Sequence, residues 1–357
     1  MLNRFFGARR APAEQTPTAT TAPPAAAVAG AMHTTGSHAV ALPPLPDAPP
    51  PPLPSADVLS EQWRADVART TIELRERYPL QDSPRDHAER LLVKLAVDLE
   101  MAVWQPSPAA QEALTLVADP DGDPAALVRV LERDGSLGGN VMRHAGCALY
   151  AAGSPPASVD DAVRRLGAQG VQVAVLAGMA EALQQRTSGP YEPLAQQVWG
   201  HLVRTGPCAR AMARAFGVAA QEAFLLGLVH DVGKLVLFDL LSALHQELRR
   251  DLLLPDGLGE EALDQLHEPL GGLALLRWGV DARVAWAVAN HHRRAPVEGR
   301  EPRSELLYVA ERLQAATRTG RVIDVEAWCR DGGLVTPPGR VEFAVEQARD
   351  AETTAAA

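Results

Sequence analysis

His230 and Asp231 stand side by side within AFLLGLVHDVGKLVLFDLL, a segment apolar on nearly every helical face. A helix of that kind is buried. A buried imidazole and carboxylate need partners, because an unpaired interior charge is strongly unfavourable. Partners are available on separate segments: His201 in VWGHLVRT, His267 in LDQLHEPLGG, His291 and His292 ending AWAVANHHRR, and Glu311 in LLYVAERLQA. Six of the ten histidines fall between 201 and 292, so the imidazoles gather around the doublet. Nitrogen and oxygen donors without thiolate suit iron, manganese, zinc or another divalent ion. Such an ion lowers the pKa of bound water and makes hydroxide available for attack on phosphorus. Adjacent residues on one helix point about 100° apart. They can flank one ion, or Asp231 can bridge two while His230 binds one. The other use of the doublet is a hydrogen-bonded pin between helices.

The neighbouring residues divide in the same way. Lys234 pairs with Asp231 three residues back or meets a substrate phosphate, and Asp231 and Lys234 are the catalytic candidates if the protein is an enzyme. Glu311 is a ligand or an ion-pair partner of Arg312 or Arg283. His292 is expected to face solvent or a loop, and His245, in SALHQELRR, to lie on the surface. Trp278 and Trp286, at helical spacing, are expected in the core. Arg293, Arg294, Arg300 and Arg303 form a basic cluster that can meet phosphate or lie in a solvated loop.

The elements that must position these residues are helices. Apolar residues recur at helical spacing in ADVLSEQWRADVARTTIELRERY and DHAERLLVKLAVDLEMAVW, predicting two helices of open packing between residues 56 and 103. From 104 to 317 short helices alternate with Gly and Pro punctuation. VQVAVLA reads as a buried helix rather than a strand, since no strand partner is evident. Pro207 is expected to bend the helix carrying His201. From 318 to 357 one short helix, RVEFAVEQARD, and a frayed end are expected. Residues 1–55 hold 12 of the 29 prolines and read as a disordered tail or spacer. The fold class is therefore all-α, a multi-helix bundle behind a proline-rich tail.

Composition removes other classes. A 46% hydrophobic chain is globular. Its net charge of −10 supplies no counter-charge for a phosphate backbone, so nucleic-acid binding is disfavoured. Three scattered cysteines make neither a disulfide framework nor a thiolate zinc site. The most apolar run, 223–241, carries His230, Asp231, Lys234 and Asp239, which hydrocarbon does not tolerate, so no membrane partner is expected. MLNRFFGARR lacks an apolar stretch after it and does not read as a signal peptide. The expected location is the cytoplasm.

HDVGK, with an upstream His and a downstream acid, resembles the HD superfamily of metal-dependent phosphohydrolases. The wider pattern is similar to its HDOD subfamily, the HD-related output domain of bacterial signalling proteins. ALVRVLERDGSLGGNVMRHAGCALYAAGSPPASVDDAVRRLGAQGVQVAVL resembles the subfamily's N-terminal half. AFLLGLVHDVGKLVL and HEPLGGLALLRWGVDARVAWAVANHH resemble its C-terminal half. The resemblance implies an HD-like helical bundle over 104–317. It assigns His201 to the first histidine of the pattern and His230–Asp231 to the doublet. It assigns His267 and His291 to the extra histidines of the two-metal branch, and Glu311 to the terminal acid. Together His201, His230, Asp231, His267, His291 and Glu311 form the implied ligand set. Several positions depart from the pattern. Glu311 replaces Asp, Gly146–Cys147 replaces Asn–Ser, and Gly135 replaces a Pro. RRAPVEG follows the paired histidines in place of the Gly-Tyr-Pro signature of cyclic-di-nucleotide hydrolases, which argues against that activity. The resemblance implies a regulatory module acting on a protein partner of a signalling pathway without catalysis. The alternative is a phosphohydrolase acting on a nucleotide or other phosphate-containing small molecule.

Overall fold

The computed structural model describes residues 42–46, 50–78, 105–146, 154–248, 257–293 and 300–356. The described residues are helical with no strand, as the periodicity predicts. Helix α1 spans Ala56–Arg77, and the Ser55 hydroxyl accepts from the Val58 amide at its start. Its stripe of Leu59, Trp63, Val67, Thr71 and Leu74 is buried. The second helix expected before residue 103 lies outside the described residues, as does most of the proline-rich tail. The described part of that tail, 42–46 and 50–55, holds neither helix nor strand. Pro43 is fastened to the body through its carbonyl, which accepts from Arg340 Nη1 at 2.6 Å.

Three short helices follow: α2 (Pro108–Ala118), α3 (Pro124–Arg133) and α4 (Gly135–Ala145). Ser107, Asp123 and Asp134 cap them in turn. They pack on α5 (Val159–Arg186), which contains the VQVAVLA stretch in helical form. Gly167 (φ 64°) kinks α5 at a backbone angle that residues with a Cβ rarely adopt. By length and apolarity α5 is the described helix capable of crossing a membrane. Here Val171, Val173, Val175, Leu176, Met179 and Leu183 fill the core instead.

The second half is built from α6 (Glu192–Phe216), α7 (Ala220–Val229), α8 (Val232–Leu248), α9 (Leu258–Arg277), α10 (Ala282–Ala289) and α11 (Pro302–Thr319). Pro207 does not interrupt α6, which continues to a left-handed cap at Gly217 (φ 68°). Gly227 lets α7 approach α6 closely, since a Cβ there would stand 2.5 Å from the Thr205 carbonyl oxygen. α1 packs on α9, and the Trp63 ring lies against Gly272. The N-terminal helix thereby belongs to the same core as the helix carrying His267.

The C-terminal segment differs from expectation. It holds two helices, α12 (Val325–Asp331) and α13 (Pro338–Ala356), and α13 runs on to Ala356 where a frayed end was expected. Alanine and glutamate favour helix. Val341, Ala344, Val345 and Ala348 are buried, with α13 packed on α6.

Candidate metal centre

The doublet does not sit within one helix. His230 and Asp231 occupy the turn between α7 and α8. His230 keeps helical backbone angles (φ −56°, ψ −34°), and the two side chains still face one space, with His230 Nε2 3.7 Å from Asp231 Oδ2. α6 contributes His201, α9 His267, the turn after α10 His291 and His292, and α11 Glu311.

These side chains form two adjoining groups around Asp231. In the first, Glu311 Oε1 lies 2.7 Å from both His201 Nε2 and His230 Nε2, which are 3.2 Å from each other. Asp231 Oδ2 faces this group, 3.7 Å from His230 Nε2 and 4.0 Å from His201 Nε2. In the second, His267, His291 and His292 cluster. Asp231 Oδ1 lies 3.6 Å from His267 Nε2 and 3.7 Å from His291 Nε2. Asp231 thus offers one oxygen to each side. The longer reach of Glu311 brings its carboxylate to both histidines of the first group.

Three tautomers follow from the backbone. His230 Nδ1 donates to the Gly227 carbonyl at 2.9 Å, His267 Nδ1 to Leu263 at 2.6 Å and His291 Nδ1 to Val288 at 2.7 Å. The neutral rings of His267 and His291 therefore turn an Nε2 lone pair inward, the arrangement that outer partners impose on metal-binding histidines, whereas His230 Nε2 carries a proton to Glu311 Oε1 at 2.7 Å that an ion would displace. His292 lies in a turn, one of its two expected places, but is half-buried with its side chain inward: its Nε2 meets His267 Nε2 at 3.1 Å. Its amide donates to Glu268 Oε1 at 3.0 Å, so Glu268 fixes the turn that turns His292 inward. Neither residue was assigned to the site by sequence. The HH dipeptide was the available signal for His292, whereas Glu268 adjoins His267 and looks like an ordinary helix-surface acid.

Lys234 Nζ donates to Asp231 Oδ2 at 2.6 Å. Burial opposes charge on Asp231, but Lys234, His230 and His267 hold its carboxyl far below the usual range. Burial likewise opposes charge on Glu311, and the hydrogen bonds from His201 and His230 outweigh it. His230 is pushed down by burial and pulled up further by Asp231 and Glu311, so it titrates above its ordinary value. Burial keeps His267, His291 and His292 below theirs.

The donor chemistry fits a divalent ion. Inward Nε2 lone pairs and two carboxylates converge with few hydrogens among them. Asp231 Oδ1 and His291 Nε2 are buried without any hydrogen-bond partner. His201, His230, Asp231 and Glu311 could hold one ion, and Asp231 with His267, His291 and His292 a second. A bound ion would acidify a coordinated water.

The family model of the HDOD domain matches residues 105–294. The chain belongs to the HDOD family. A curated protein of Treponema pallidum (strain Nichols), named only as an uncharacterized protein, is 24% identical over 182 residues. That match takes in 49% of this chain and 35% of the relative, so the chain spans about a third of the relative's length. An HDOD domain protein of Geobacter sulfurreducens superposes with TM-score 0.53 at 18% identity, covering 75% of this chain and 95% of its own. A "Putative metal-dependent phosphohydrolase" of Shewanella amazonensis SB2B gives 0.52 at 19%, covering 74% and 99%. A "Putative signal transduction protein" of Marinobacter aquaeolei VT8 gives 0.52 at 22%, covering 85% and 68%. These similarities show the HDOD fold.

The basic cluster after the paired histidines is spent inside this HDOD fold rather than in a solvated loop. Arg293 donates to Gly333 O and Ser304 Oγ, and Arg300 to Phe216 O. Arg303 pairs with Glu222 at 2.6 Å, and Arg294 lies outside the described residues. Trp278 is buried as expected, and His245 is half-buried rather than on the surface.

Proposed function

We propose that this HDOD chain is a regulatory module of signal transduction that works through contacts with a protein partner, with iron, manganese or zinc at the Asp231 centre. The carrying observation is that the centre is closed and its lysine committed. The side chains of His230, Asp231, His267 and His291 are at most 2% exposed. Lys234 is held on Asp231 rather than free for a phosphate. An ion in such a place ties α6, α8, α9 and α11 together and makes their packing depend on its presence. The buried, unpaired thiols of Cys208 and Cys329 support a reducing compartment such as the cytoplasm.

A second reading, phosphohydrolase, is favoured by one observation. His201, Glu311 and Lys234 are each about a fifth exposed, so the first group has an outward side. In that reading Asp231 holds the ion and Lys234 meets the phosphate of a nucleotide or other ester. A screen of phosphate esters with added manganese separates the two. The regulatory reading expects no turnover above that of Asp231→Asn. Turnover abolished by Asp231→Asn would replace it with the hydrolase.

A further inference from the structure

The C-terminal helix pair carries a groove of about 460 Å³ between residues 322–326 and α13. Its floor is apolar, made by Val322, Ile323, Val325 and Val345. Val322 is 91% exposed, so an aliphatic side chain stands at the mouth with almost no protein over it. The α13 wall is the stripe Glu342, Val345, Glu346 and Arg349, which the i, i+3, i+4, i+7 spacing puts on one face.

The rim sets Asp324, Glu326, Glu342 and Glu346 against Arg349 alone. Two of these acids have a local reason. Asp324 caps α12 by accepting from the Ala327 amide at 2.9 Å. Glu326 stands in the first turn of that helix, where the helix dipole favours an acid. Glu342 and Glu346 have no such reason. They lie beyond the first turn of α13, four residues apart, a spacing at which like charges repel. Glu326, Glu342 and Glu346 form no ion pair with another described residue. An occupant that covers the floor and relieves this repulsion is apolar on one side and cationic beside it.

The two walls are fixed relative to each other. Residues 332–336, which join α12 to α13, are gripped from the body of the domain. Arg293 donates to the Gly332 carbonyl at 2.5 Å and to the Gly333 carbonyl at 3.0 Å. The Glu305 carboxylate accepts from the Val335 and Thr336 amides at 3.0 Å each. Both gripping side chains are buried. A surface preformed in this way needs little ordering when a partner binds. Cations one helical turn apart, about 6 Å along an axis, match Glu342 and Glu346. Helix-in-groove recognition supplies that spacing together with an apolar stripe.

We propose that this groove is a docking surface for an amphipathic helix of a protein partner, with lysine or arginine at i, i+4 beside its apolar stripe. The proposal rests on the regulatory reading and gives that reading its partner surface. It also links surface and centre, since Arg293 directly follows His292 and Glu305 shares α11 with Glu311.

Hydrogen exchange and calorimetric titration on the full chain test this. The probe is a synthetic leucine–lysine helix of about four turns, beside its leucine–glutamate counterpart. The lysine peptide should bind the wild type, more weakly as salt is added, and slow exchange at 322–326 and along α13. The glutamate peptide should not bind. Val322→Asp and Glu342→Lys/Glu346→Lys should each weaken the lysine peptide by roughly tenfold. The lysine double variant should in turn accept the glutamate peptide. These positions are exposed, so the variants stay folded, and their metal content should equal that of the wild type. No binding of the lysine peptide, binding indifferent to these substitutions, or protection elsewhere on the chain overturns the proposal. Slow exchange at 322–326 without peptide also overturns it: if lost on dilution, a second copy covers the groove, and if not, the chain covers its own. Ester turnover abolished by Asp231→Asn would defeat the regulatory reading without moving peptide binding, so the two failures are separable.

Discussion

Asp231 Oδ1 and His291 Nε2 face each other at 3.7 Å, both buried, and neither has a hydrogen-bond partner. The distance is too long for a hydrogen bond. His291 Nδ1 already donates to the Val288 carbonyl, so its neutral ring presents only a lone pair to the carboxylate. Two acceptors confronting each other without a donor cost about 1–3 kcal/mol apiece. A shared cation removes both costs at once. In the first group the proton on His230 plays that part, bonded to Glu311 at 2.7 Å, and an ion would displace it.

The approach of α8 to α9 sets where Asp231 stands relative to His267. A Cβ on Gly233 would lie 2.0 Å from the His267 carbonyl oxygen and 2.7 Å from the Gly271 nitrogen. Both are backbone atoms and cannot rotate away. Gly233→Ala should cost about 3 kcal/mol or more in urea denaturation, at the upper end of overpacking penalties. Gly139→Ala is the control, because nothing lies within 4 Å of its added Cβ. It should be neutral or gain up to about 1 kcal/mol from helix propensity. Equal effects of the two substitutions would refute the close-approach account.

α1 should be inseparable from the domain's stability. Trp63 is 4% exposed and lies against Gly272, one and a half turns beyond His267 on α9. Trp63→Ala should lose about 3–5 kcal/mol, the usual range for a buried large aromatic. It should also lower metal retention, since α9 carries His267. A loss confined to α1 amides in hydrogen exchange, with the melting temperature unchanged, would make α1 a detachable arm.

Acid should destabilise the metal-stripped chain. His267, His291 and His292 titrate below the ordinary 6.5 because burial opposes their charge. Below pH 6.5 the unfolded chain takes up protons that the folded chain refuses, so stability present above that pH is lost as pH falls. Each such group contributes a slope of at most about 1.4 kcal/mol per pH unit. His230 has the opposite sign, since its raised value favours folding at lower pH. Three against one gives a net loss, and Asp231 and Glu311 add to it below their ordinary carboxyl range. The melting temperature in chelator should fall between pH 7 and 5. A flat profile would show that these rings are hydrated in the folded state.

Much of this was legible in the sequence, and the remainder was hidden for physical reasons. Apolar spacing exposed the helices, and histidines on separate segments pointed to one centre. His201, His230, Asp231, His267, His291 and Glu311 do converge within one pair of groups. The doublet's position in a turn was invisible, because the turn is as apolar and buried as the helices flanking it. The inward place of His292 depends on Glu268, 24 residues away, which no local pattern encodes. The buried roles of Arg293 and Arg300 depend on carbonyls of residues 216, 332 and 333. An arginine run in a loop reads as solvated until those partners are placed. α12 is only seven residues long, too short for a periodic signal.

Lys234 should compete with the ion. Its ammonium donates to Asp231 Oδ2 at 2.6 Å and adds a positive charge beside the ligand set. Lys234→Met keeps the stem and removes the charge. Manganese binding in calorimetric titration should tighten by roughly tenfold, a conservative fraction of the repulsion between charges about 5 Å apart near a protein surface. Weaker binding would instead make Lys234 the residue that holds Asp231 in position.

The central claim is that the Asp231 centre holds a divalent ion. Elemental analysis of the purified full chain, beside Asp231→Asn and His291→Ala, measures it directly. The account predicts iron, manganese or zinc in stoichiometric amount in the wild type, with both variants helical by circular dichroism and depleted of metal. A wild type that stays metal-free after loading, or variants that retain as much metal as the wild type, would contradict it.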